Sequence, residues 1–76
     1  MTREQIIEVV KRHLEGLPFA IEIVEEGVQQ QGDWWNLPVR AKDPPKRQWR
    51  YYEILANIEE DVTEETRQEV LLLPVA

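Results

Sequence analysis

A chain of 76 residues has room for one domain with one small core, burying roughly 60% of the surface its unfolded form would expose. The absence of cysteine excludes disulfides, thiolate metal sites and a cysteine nucleophile. A net charge of −6 works against duplex nucleic acid as a general partner, because phosphate neutralisation dominates that affinity. The hydrophobic fraction of 42% argues for a folded globule, read as a single small domain over 1–76. Met1-Thr2-Arg3-Glu4 lacks the apolar core of a signal peptide. No apolar run approaches the roughly 20 residues that cross a bilayer. The expectation is a soluble cytoplasmic protein with no membrane contact.

The first element is well marked. Thr2-Arg3-Glu4-Gln5 fits a capping box, and Ile6, Val10, His13, Leu14 and Leu17 then recur on one helical stripe. Lys11 and Arg12 sit where the helix dipole favours cations, while Gly16 and Pro18 stop the helix. A helix is predicted over Arg3–Glu15.

From Phe19 to Gln29 the period becomes two: Phe19, Ile21 and Ile23 alternate with Ala20, Glu22 and Val24, as in a half-buried strand. Gly27 interrupts it as a bulge would, and Gln29–Asp33 reads as a hairpin turn with Gly32 at positive φ. The second strand places Trp35, Leu37, Val39 and Ala41 on one face and Trp34, Asn36, Pro38 and Arg40 on the other. Pro38 cannot donate to a ladder, which predicts an edge position for this strand.

Asp43-Pro44-Pro45 stops the strand and suits the start of a helix, with Asp as cap and proline in the first turn. Tyr51, Leu55, Ile58 and Val62 share one stripe, predicting a helix over about Lys46–Asp61; the rival is a strand through Trp49–Ile58. Thr63–Thr66 could start a further turn, and Val70-Leu71-Leu72-Leu73, closed by Pro74, reads as a buried strand. The expected fold is α+β: a two-layer sandwich in the order α-β-β-α-β. Its three-stranded sheet has strand order 2-1-3, with two helices on one face.

Catalytic chemistry finds little footing. His13 is the single histidine and lies on the apolar stripe of the first helix, where packing explains it better than acid–base work. Serine is absent. The acidic run Glu59-Glu60-Asp61 with Glu64 and Glu65 lacks the glycine and ligand spacing of a calcium loop and reads as a solvated helix end. No phosphate-binding glycine loop or zinc spacing occurs. The expectation is no enzyme, no cofactor, no metal and no small-molecule substrate.

Charge and aromaticity point elsewhere. Residues 34–52 carry +4 between flanks of −4 (1–33) and −6 (53–76), and hold all three tryptophans and both tyrosines. Trp34, Arg40, Lys42, Lys46, Arg47, Trp49 and Arg50 are the expected partner-binding residues, with aromatic and arginine anchors of the kind enriched at interfaces. A protein-interaction module that binds a protein partner or itself, through the edge and outer face of the second strand and the basic–aromatic segment 34–52, is the first expectation. The alternative is a binder of single-stranded nucleic acid, stacking bases on Trp34, Trp49 or Tyr52 and tracking phosphates with the cations. The element order resembles that of small RNA-binding modules of the KH type, whose glycine-rich clamping loop has no counterpart here.

Overall fold

The computed structural model describes residues 1–43 and 46–75. In chain order its elements are α1 (Arg3–Leu14), β1 (Ile21–Ile23), a 3-10 turn (Glu25–Gly27), β2 (Gln29–Gln31), β3 (Trp34–Ala41), α2 (Gln48–Thr66) and β4 (Glu69–Pro74). The α+β class holds, as does the succession α-β-β-α-β but for one added short strand: Gln29–Gln31, expected as part of a hairpin turn, is β2, and the turn itself is confined to Gly32 and Asp33.

Helix α1 starts at the expected box. The Thr2 hydroxyl accepts from the Gln5 N–H at 3.2 Å, and the Gln5 side chain accepts from the Thr2 N–H at 2.8 Å. The helix buries Ile6, Ile7, Val9, Val10 and Leu14, and Gly16 follows its end at φ +80°.

The strand order differs from the expected 2-1-3. Strand β3 is central: β1 and β2 pair antiparallel with its two halves on one side, and β4 runs parallel to it on the other. Pro38 is accommodated because its neighbour strand is interrupted opposite it. Ile23 pairs with Val39 and Gln29 with Asn36, so five residues, 24–28, stand opposite two, 37 and 38. The Pro38 carbonyl accepts from Val24 N–H at 2.9 Å on that side, whereas the Val39 carbonyl accepts from Val75 N–H at 2.9 Å on the β4 side. The missing proline N–H therefore points into the interruption, where no ladder acceptor waits. Gly27 closes the gap: a Cβ there would lie 2.8 Å from Pro38 Cγ. Gly32, at φ +58°, turns β2 into β3 across the closing pair Gln31–Trp34.

Helix α2 buries Tyr51, Leu55, Ile58 and Val62, the predicted stripe. It starts later and runs further than expected, absorbing Thr63–Thr66 as its last turn. Its N-cap is Arg47, with no side-chain cap, and not Asp43. Asp43, two residues beyond the end of β3, is left-handed at φ +50°. Pro44 and Pro45, expected in the first turn, lie outside the described residues.

Strand β4 is not buried on both faces. Val70 and Leu72 turn inward, and Leu71 and Leu73 are exposed. The inward residues of β3 and β4 (Trp35, Leu37, Val39, Val70, Leu72) form one core with the stripes of α1 and α2, so both helices cover one face of the sheet. The Trp35 indole N–H donates to Gln68 Oε1 at 3.3 Å. Tyr51 meets Phe19 edge-on, ring centres 5.8 Å apart, and its buried hydroxyl has no hydrogen-bond partner among the described residues.

Gly27→Ala forces a methyl into a rigid proline ring. Denaturant titration should show a loss of about 1–3 kcal/mol. Tyr51→Phe should leave stability equal or raise it by about 1 kcal/mol, since a desolvated hydroxyl without a partner is removed. Burial, then the neighbouring Tyr52, raises the Tyr51 pKa above its ordinary 10.0. The contribution of the neutral phenol is complete below that value and lost as pH rises through the higher folded one. The stability difference between the two proteins should therefore stay constant below about pH 10 and change only above it.

Candidate interaction surfaces

The alternation of β3 decides what faces away from the helices. Trp34, Asn36, Pro38 and Arg40 stand on the uncovered face, as the sequence implied. The parallel register adds residues from β4: Glu69 beside Trp34, Leu71 beside Asn36 and Leu73 beside Pro38. Gln29 and Gln31 flank them from β2, and Glu22 from β1. Trp34 is 42% exposed, Leu71 41% and Leu73 43%. The result is an apolar strip over two strands with a carboxylate, Glu69, at one end and a cation, Arg40, at the other. Arg40 also lies 3.5 Å from Glu22.

No edge of β3 is open, which corrects the expected edge contact: both its sides are hydrogen-bonded. The true edges are blunted. On the outer edge of β4, the Leu72 N–H donates to Glu59 Oε2 of α2 at 3.1 Å, and Pro74 has no N–H. On the opposite edge the 3-10 turn separates β1 from β2, leaving two strands of three residues each. What the sheet offers a partner is its face.

A second surface forms where α2 begins. Lys46, Arg47, Trp49 and Arg50 line a shallow depression of about 320 Å³, and Trp49 is 58% exposed. The adjacent Tyr52 is exposed and stacks on Tyr51 with ring centres 5.8 Å apart. Among the described residues, Lys46, Arg47 and Arg50 form no ion pair, so the alternative of simple pairing with Asp43 and Glu53 is not what they do. Uncapped N–H groups of α2 add to their positive field, and no acid lies in the first turn.

The seven expected residues therefore separate. Lys42 follows the C-terminal end of β3 and is exposed. Trp34, eight residues earlier on the same strand, stands about 26 Å from it at an extended rise. Trp34 and Arg40 stand at opposite ends of the open face, and Lys46, Arg47, Trp49 and Arg50 gather at the start of α2. Sequence reasoning missed Leu71, Leu73 and Glu59. An unbroken apolar run conceals which of its members alternate outward, and a carboxylate that caps a distant strand looks like any solvated glutamate.

His13 is not a core residue. Its ring is partly exposed, and Nε2 lies 3.4 Å from Glu65 Oε1, a carboxylate that also receives Arg12 at 3.1 Å. The cluster ties α1 to the end of α2. Among the described residues no group of three His, Asp or Glu side chains is gathered for a metal, and no helix is long and apolar enough to cross a membrane. No family model, no curated protein and no solved structure matches the chain.

Proposed function

We propose that this protein is a non-catalytic interaction module whose contact surface for a protein partner is the uncovered face of the sheet. The observation that carries this reading is the apolar strip of exposed Trp34, Leu71 and Leu73 with half-buried Pro38 among them, on a face with no helix over it. Large apolar side chains gathered on one face and rimmed by charge are what interaction sites present. The blunted edges favour contact through side chains over strand addition. Trp34 and Arg40 belong to the residue types that dominate binding energy, and Trp34 anchors the reading.

The test compares affinity capture by the wild-type chain with capture by a Trp34→Ala, Leu71→Asp double variant and by an Arg47→Ala, Arg50→Ala control. Binding should fall by about tenfold or more in the first and stay level in the second. Equal binding by all three would remove the face from the function.

The depression at Lys46, Arg47, Trp49 and Arg50 favours a second reading, single-stranded nucleic acid, since it joins an exposed indole to three cations. Tryptophan quenching by mixed-sequence oligonucleotides, stronger at low salt, would support it, and no response at low salt would end it. Arg47→Asp separates stability from binding. It supplies a cap and removes a cation from the positive end of the helix, so stability should rise by about 0.5–2 kcal/mol. Oligonucleotide affinity should fall.

A further inference from the structure

We infer that the occupant of the uncovered sheet face is a second copy of this chain, packed face to face with its strands antiparallel to the first; this rests on the interaction reading above and names its partner. Four features of the face lead there. The apolar residues of the face lie in two adjacent lanes, exposed Leu71 and Leu73 on β4 and, on β3, exposed Trp34 and half-buried Pro38 on either side of Asn36. The third lane is polar, with Glu22, Gln29 and Gln31. Along the two apolar lanes the charges stand at opposite ends, Glu69 level with Trp34 and Arg40 six residues further on, where Glu22 of the third lane already pairs with it at 3.5 Å. Both edges of the sheet are blunted, which disfavours edge-to-edge pairing of copies.

A closed dimer uses a two-fold axis lying in the plane between the sheets, and only two directions respect the strands. An axis parallel to the strands lays the β4 lane of one copy over the polar lane of the other. It sets Leu71 against Gln29 and Leu73 against the interruption between β1 and β2, and brings Arg40 to Arg40. An axis perpendicular to the strands keeps each lane over itself and reverses its direction. With that axis at the level of Leu37, Leu71 meets Leu73 of the second copy and Trp34 meets its Arg40. Glu69 then lies diagonally beside that same guanidinium. Leucine packs on leucine, and the arginine gains an indole face and a carboxylate. Apolar matching and charge complementarity select the same axis.

Three lanes about 4.8 Å apart and up to eight residues long give each copy on the order of 500 Å² of contact, toward the low end for specific interfaces. The dimer is accordingly of micromolar strength, concentration-dependent and readily exchanging.

Sedimentation equilibrium of the full chain from about 1 µM to about 1 mM brackets that range. The wild type should pass from monomer to dimer, and Leu71→Asp with Leu73→Asp should hold it monomeric with an unchanged circular dichroism spectrum. Arg40→Glu and Glu69→Arg should each weaken self-association about tenfold. Mixing those two variants should restore a heterodimer to within about threefold of wild-type affinity, since each opposes the charge the other carries. Failure of the mixture to recover while both variants remain folded overturns the antiparallel axis. A wild type that stays monomeric throughout overturns self-association, and the interaction reading survives if capture of another protein still depends on Trp34 and Leu71. A dimer that persists in the leucine double variant overturns both.

Discussion

Pro38 stands in the central strand, where a residue without an N–H leaves one rung of the ladder unmade. The chain meets that constraint by breaking the neighbouring strand opposite it, with five residues set against two. The insertion winds into a 3-10 turn that brings Gly27 against the proline ring. Once this is done β3 can be paired on both sides, its inward residues Trp35, Leu37 and Val39 reach the middle of the core, and β4 has a full-length partner. The same break shortens the β1/β2 edge, so a local solution to one missing donor also protects the sheet from strand addition.

Helix α2 is built against its own dipole. Lys46, Arg47 and Arg50 lie at its positive end and Glu64 and Glu65 at its negative end, each costing about 0.3–1 kcal/mol where exposed. Burying Tyr51, Leu55, Ile58 and Val62 contributes about 1.5–3 kcal/mol for each aliphatic side chain, so packing outweighs the electrostatic cost. Glu59 adds a tie to β4, and Glu65 a tie to α1 through Arg12 and His13. Those surface ion pairs are worth about 0–1 kcal/mol and orient the helices more than they hold them.

The two ends of α2 and the open face are linked by the topology. The parallel placement of β4 beside β3 requires α2 to run back along the sheet, which carries its basic start to one end of the strands and its acidic finish to the other. Glu69 comes after the C-cap Arg67 and Gln68 and lands beside Trp34, at the same end of the strands as the acidic last turn of α2. A face with charge at opposite ends and leucine between can match itself when reversed.

Local signals determined the elements. The Thr2–Gln5 box, the stripe Tyr51–Leu55–Ile58–Val62 and the alternation from Trp34 to Ala41 each state their structure within a few residues, because capping and periodicity are short-range properties. They also set the inward and outward assignment of Trp35 and Trp34, since adjacent strand residues must face opposite ways. The tertiary structure decided what depends on distant partners. Pro38 alone predicts an edge, but a break in another strand makes a central position possible, and nothing within β3 announces that break. Val70–Leu73 reads as buried throughout, but only one layer of helices exists to cover the sheet, so Leu71 and Leu73 are left outside. Seven residues within 34–50 looked like one surface by proximity in the chain. An extended strand followed by a helix carries neighbours in sequence to opposite ends of the molecule, and that separation exists only once the chain has folded.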